Sequence, residues 1–140
     1  VIKNETVELS SACCFFFLFH DVFENDMIAN LYEEFHPAVL RAIKRVIEIG
    51  HAYKIWVGIC GEMASEISAI IILLGFGLDE FSVVPSMLPM VKKIIRSTPY
   101  KEAKQIAERC LTFDEASQIK DYVLTEVKQR YPDLYAAQMD

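Results

Sequence analysis

The chain has 140 residues, of which 53% are hydrophobic, 11% aromatic and 24% charged, the profile of one compact domain with a core and not of a disordered or fibrous segment. Fourteen Lys and Arg against twenty Asp and Glu leave a formal charge of -6, which excludes a broad electrostatic grip on nucleic acid or anionic lipid, so any anionic ligand must be held locally. The four cysteines, with Cys13 and Cys14 adjacent, show neither CxxC nor CxxH spacing; no zinc site or disulfide framework is signalled, and a reducing cytoplasm is the expected setting.

The start at Val1, with no basic n-region or small-residue cleavage site after it, reads as an excised piece of a longer chain. The apolar run Cys13 to Phe19 leads into His20 and Asp21 and, like the run Ile67 to Gly77, falls short of the roughly 20 residues of a membrane-spanning helix. Both are expected to be buried strand or buried helix. Pro37, suited to a first turn, opens a helix whose face is Val39, Leu40, Ile43, Val46 and Ile47, with Arg41, Lys44, Arg45 and Glu48 opposite and Gly50 as its stop. The run Ile55 to Ile59, β-branched and aromatic without polar alternation, predicts a strand covered on both faces that delivers Cys60, Gly61 and Glu62 at its carboxyl end. A helix apolar nearly all round follows, Ile67 to Leu74, ended by Gly75 and Gly77, and then a strand from Phe81 to Val84. Met87, Val91, Ile94 and Ile95 mark a third helical face, with Lys92, Lys93 and Arg96 toward its carboxyl end. Thr98 as cap and Pro99 as first residue open a fourth helix that buries Ala103, Ile106, Ala107, Cys110 and Leu111. A capping box from Thr112 to Glu115 starts a fifth, buried through Ala116, Ile119, Val123, Leu124 and Val127 and closed by Pro132, with a frayed tail beyond. Short apolar strands alternating with amphipathic helices mean parallel pairing, hence an α/β fold with too few strands to close a barrel alone.

In parallel α/β folds the chemistry gathers at the carboxyl ends of strands. Cys60 and Glu62 stand at such an end, and Gly58 and Gly61 bracket the cysteine, where they would let a ligand approach the backbone. Read from residues alone, a small core cysteine followed by turn glycines competes with a catalytic thiol, and spacing does not decide between them. His20, His36 and His51 read as packing or capping residues, Asp79 and Glu80 as a solvated turn, Lys92, Lys93 and Arg96 as a solvated helix face, and Phe15 to Phe17, Met87 and Met90 as core.

Two longer words add to this: Gly58-Ile59-Cys60-Gly61-Glu62-Met63-Ala64 and Leu73-Leu74-Gly75-Phe76-Gly77-Leu78-Asp79-Glu80-Phe81-Ser82. With Asn25-Asp26-Met27-Ile28, Leu31-Tyr32, Pro37 to Leu40, His51-Ala52 and Lys92 to Arg96, they resemble enzyme I of the bacterial sugar phosphotransferase system, the phosphoenolpyruvate-protein phosphotransferases, in the phosphoenolpyruvate-binding barrel. Pyruvate phosphate dikinase and phosphoenolpyruvate (PEP) synthase share the Cys-Gly-Glu element but look less like the later words. The resemblance implies the carboxyl-terminal portion of a (β/α)8 TIM barrel, incomplete in this chain, over residues 25–140. It implies a Mg-dependent transfer of phosphoryl from PEP to a histidine and on to the carrier HPr, leaving pyruvate, in a cytoplasmic homodimer. Cys60 matches the family's acid, the proton donor to enolpyruvate, and Glu62 would orient or reprotonate the thiol.

Residues 1–24 do not match the family. Counting back without gaps, the family's substrate Asn, Mg-binding Asp and phosphate-binding Arg fall on Ala12, Cys13 and Phe23, none of which can serve; Asn25 and Asp26 match a different pair. No metal ligand is therefore assigned in this chain, and the histidine domain that meets HPr lies outside it. The expected function is that of a fragment of the phosphotransferase, inactive by itself. The alternatives are a non-catalytic dimerisation or interaction remnant of the barrel, or a dikinase or synthase relative.

Overall fold

Helix α1, Pro37–Ala52, opens a computed structural model that describes Cys13–Cys14 and residues 33–133. Pro37 stands in its first turn, and His36 caps it, Nδ1 accepting from the Ala38 amide at 3.2 Å. Leu40, Ile43 and Ile47 are buried along one face. The chain turns at Lys54 and enters strand β2, Val57–Cys60, which runs parallel to both β1, Cys13–Cys14, and β3, Glu80–Ser82, in the order β1-β2-β3. The registers are Cys13 to Val57 and Cys14 to Gly58 on one side, and Gly58 to Glu80, Ile59 to Phe81 and Cys60 to Ser82 on the other.

Between β2 and β3 lies helix α2, Ile67–Phe76, buried at Ile67 to Leu73 and again at Gly75. A helix apolar on every side must be central, and α2 touches α1 and each of the three helices that follow: α3, Leu88–Ser97; α4, Tyr100–Cys110; and α5, Ala116–Arg130. It ends in a left-handed Gly77 (φ 86°), with the Gly77 and Leu78 amides bonded to the Leu74 and Leu73 carbonyls, each at 3.0 Å. That pairing of the last carbonyls closes the helix while Leu78 folds back onto the core. At the far end the Tyr131 hydroxyl donates to Glu102 Oε2 at 2.8 Å and ties α5 to α4; burial first, then this bond, pushes the phenol up to about 12. The architecture is thus a mixed, helix-rich α/β fold around a small parallel sheet.

Several expectations shift in detail. The strands stand at Val57–Cys60 instead of Ile55 to Ile59, and at Glu80–Ser82 instead of Phe81 to Val84, because the pairing register and not composition sets their ends. Thr98 does not cap α4: its amide donates to the Ile94 carbonyl at 3.0 Å, and the extended Pro99 is the cap, its carbonyl accepting from Glu102 and Ala103. A residue before proline is pushed away from helical geometry, so the break falls there. The capping box does not form, since Thr112 Oγ1 donates backward to the Arg109 carbonyl at 2.7 Å and Glu115 becomes an N-cap without a side-chain cap bond. Leu124 lies 38% exposed, one step round the helix from the buried Val123. Phe15 to Phe19, His20 and the tail after Asp133 lie outside the described residues. Among the described residues no helix is long and apolar enough to cross a membrane.

Candidate active site

Alternate residues of a strand face opposite sides of the sheet. Val57 faces α1, since a Cβ built on Gly50 would lie 2.5 Å from Val57 Cγ2; Gly58 and Cys60 therefore face the other way. The register brings Glu80 beside Gly58 and Ser82 beside Cys60 on that same face, while Phe81 turns toward the helices and packs on the core. A Cβ on Gly58 would meet Glu80 Cβ and Trp56 Cζ3, both at 3.3 Å. Gly58 is buried and makes room for those two neighbours, which is an ordinary packing reason for a glycine there. A cavity of about 150 Å³ lies beside β3, lined by Asp79, Glu80 and Phe81 together with Leu74, Leu78, Leu88, Val91 and Ile95; Cys60, Gly61 and Glu62 are not in its lining.

Cys60 is half-buried and outside any disulfide. It differs from Cys110, sealed at 0% exposure in the helical layer, whose thiol burial pushes up to about 12 and so keeps inert. Immediately after Cys60 the backbone takes a conformation that suits glycine alone: Gly61 has φ 91° and ψ -166°. A Cβ on Gly61 would have nothing within 4 Å, so the constraint is conformational and not spatial. Gly61→Ala is accordingly expected to cost about 1–3 kcal/mol, read from the urea midpoint at constant m, with a wild-type midpoint as the contrary result. From Gly61 the chain enters a short 3-10 turn, Glu62–Ala64, whose Met63 and Ala64 are buried anchors. The exposed Glu62 sits at the start of that turn, its carbonyl accepting from the Ser65 amide at 2.9 Å and the Ser65 hydroxyl at 3.2 Å.

The amino end of β2 is fixed by a contact that sequence reading missed. Asp79 Oδ2 accepts from the Val57 amide at 2.8 Å and pairs with His51 Nε2 at 2.8 Å, while the Asp79 amide donates to the Val57 carbonyl at 3.1 Å. Asp79 and His51 are therefore a solvent-exposed clasp joining the end of α1, β2 and the start of β3; the turn is solvated as expected, but its aspartate and the histidine are partners and not separate features. Only the Leu-Asp-Glu-Phe-Ser word hinted at it, because partners 22 and 28 residues away leave no local spacing signal. Asp79→Ala leaves the Val57 amide of a buried residue without an acceptor and should cost about 1–3 kcal/mol in chemical denaturation; no change would show that the clasp is redundant.

The structure thus brings Cys60, Gly61 and Glu62 together at the carboxyl end of β2 and adds Glu80 and Ser82 on the Cys60 face. His36 is a helix cap, and Lys93 and Arg96 lie exposed on α3. Among the described residues no three His, Cys, Asp or Glu side chains converge where a metal ion would sit. Such an arrangement can supply one thiol proton beside an acidic side chain at the mouth of a parallel sheet, with a glycine turn holding the thiol's backbone.

Comparison with known proteins follows the same residues. The PEP-binding domain of PEP-utilising enzymes matches residues 21–100. Phosphoenolpyruvate-protein phosphotransferases are similar over about 70% of this chain: that of Buchnera aphidicola subsp. Acyrthosiphon pisum is 42% identical over 99 residues, 71% of the chain and 17% of the relative. That of Haemophilus influenzae is 41% identical and that of Staphylococcus carnosus 39%, each over 99 residues, with the same two coverages of 71% and 17%. The chain therefore spans about a sixth of the length of these relatives, 17%.

Proposed function

The chain belongs to the PEP-utilising enzymes, in their PEP-binding domain, and from that premise we propose that it is a carboxyl-terminal piece of a phosphoenolpyruvate-protein phosphotransferase in which Cys60 is the proton donor. The fold would be the last part of a (β/α)8 barrel completed by upstream strands, in a cytoplasmic homodimer. The observation that carries the reading is the position of Cys60: it ends β2 on the face opposite Val57, which packs on α1, and the chain leaves it through a glycine-only conformation at Gly61.

In the proposed reaction the bond between phosphorus and the enol oxygen of PEP breaks toward a histidine of another domain, and the electron pair remains on the enolate. The Cys60 thiol gives its proton to the methylene carbon, the carbonyl forms, and pyruvate leaves. The thiolate recovers a proton from water, with the neighbouring Glu62 as the group that can relay it. The phosphoryl passes from the histidine to HPr. Trigonal phosphoryl in flight is stabilised mainly by cations and metal; the ligands of Mg belong in this reading to parts of the parent outside this chain, and none of these proton transfers runs through them. The chain alone is therefore not expected to turn over PEP. Addition of PEP and Mg to the 140-residue chain should release no pyruvate in a coupled lactate dehydrogenase assay, and release would show that the chain is self-sufficient.

A further inference from the structure

Cys60 and Ser82 are direct cross-strand partners, the last residues of β2 and β3. Neighbouring strands lie about 4.8 Å apart, so a hydroxyl at position 82 comes within reach of a sulfur at position 60 by rotation about its own side-chain bond. The register that pairs them is fixed from the other side of the sheet, where Ile59 and Phe81 are partners and pack on the core; a slip by one residue would bring Phe81 out of it. In a helix or helical turn a serine or threonine hydroxyl finds a carbonyl three or four residues back, as those of Ser65, Thr112 and Thr125 do. A strand offers no such carbonyl, so the donor of the exposed Ser82 is left for its cross-strand neighbour or for water. We propose that Ser82 is a positioning residue for the proton transfer, its hydroxyl donating to the Cys60 sulfur as that atom becomes a thiolate.

The role rests on the reading of Cys60 as the proton donor and supplies what that reading lacks, a group to receive the charge left behind. When the S–H bond breaks, its proton goes to the methylene carbon and the electron pair stays on sulfur; the Ser82 proton remains on its own oxygen. A donor to that pair favours the charged form of the thiol. The titratable groups on the surrounding elements are Glu62 in the 3-10 turn, Glu80 on β3 and Cys14 at the β1 position across from Gly58. None is a cation, and two ionised carboxylates disfavour a thiolate. The Ser65 hydroxyl is already taken by the Glu62 carbonyl at 3.2 Å. Ser82 is therefore the side-chain donor that the register sets beside the sulfur.

The test is alkylation of the 140-residue chain by iodoacetamide, followed at Cys60 by peptide mass spectrometry over about pH 6 to 10, since the thiolate is the reacting form. Ser82→Thr and Ser82→Val are the decisive pair, because both residues suit a strand and have one shape, and only threonine keeps the hydroxyl. Ser82→Thr should react at the wild-type rate. Ser82→Val and Ser82→Ala should react about threefold to tenfold more slowly near pH 7, the range of one hydrogen bond, with the profile displaced upward and the loss vanishing at alkaline pH. A merely structural role would change access to the sulfur and scale the rate equally at every pH. Identical profiles for Ser82→Thr and Ser82→Val, a wild-type profile for Ser82→Ala, or a change that ignores pH would each overturn the role of Ser82. The alkylation needs neither PEP nor Mg, so its failure is separate from failure of the proton-donor reading, which pyruvate release by a Cys60→Ala parent decides.

Discussion

Cys60→Ala in a full-length parent is expected to slow pyruvate formation by roughly 10²–10⁴-fold while PEP binding is unchanged, the magnitude being that of a removed general acid. The asymmetry follows from the chemistry. Binding of PEP depends on charges that grip phosphate and carboxylate, none of which Cys60 supplies, and the strand that carries residue 60 is held by its register with β1 and β3 and not by the side chain. After the phosphoryl departs, the enolate must be protonated at carbon or it recaptures the phosphoryl, so loss of the acid blocks the net reaction without blocking the approach of substrate. Cys60→Ser is the sharper companion: a hydroxyl preserves size and hydrogen bonding but is a far weaker acid, so Ser should resemble Ala in rate. Pyruvate release at the wild-type rate from either variant would remove Cys60 from the mechanism, and equal losses in rate and in PEP binding would make it a packing residue.

How much of this was legible in the sequence depends on the range of the interaction concerned. The five helices among the described residues were readable because each carries its own face and its own stop: Pro37 at the start of α1, Gly77 after α2, and the Ala116, Ile119, Val123 and Val127 stripe of α5. Caps were less readable, since a threonine can close the preceding helix by donating as well as cap the following one by accepting, and in both cases the preceding helix won: the Thr98 amide donates to Ile94 and the Thr112 hydroxyl to Arg109. Strand ends were displaced by one or two residues because they are fixed by partners on other strands. At the candidate site, Cys60, Gly61 and Glu62 were adjacent in the chain and could be found as a word. Glu80 and Ser82 could not, because only the register of β3 brings them to the Cys60 face. The Asp79 clasp joins residues 22 and 28 positions apart, and no local pattern encodes it.

Gly75→Ala is expected to destabilise the chain by about 2 kcal/mol or more, although helix propensity alone predicts a gain of up to about 1 kcal/mol from replacing a glycine in the last turn of α2. A Cβ at Gly75 would overlap the Ala103 carbonyl oxygen and lie 2.6 Å from both the Ala103 carbonyl carbon and Ala107 Cβ. Two of those three contacts are backbone of α4, which cannot rotate aside, and Ala103 and Ala107 are completely buried. The helix as a whole is restrained as well, by α5 and by the Tyr131 bond to Glu102. Relief must therefore come from moving α2, and α2 lies between the two features that position the candidate site: the Gly61 loop precedes it, and Gly77 with the Asp79 clasp follows it. Adding Ala107→Gly removes one contact of the three and should recover only part of the loss, whereas trimming Ala103 should recover none, because its contact is through the carbonyl. A urea midpoint at or above wild type for Gly75→Ala, with m unchanged, would mean that the helices separate freely at this crossing and that the close approach is not what holds the layer together.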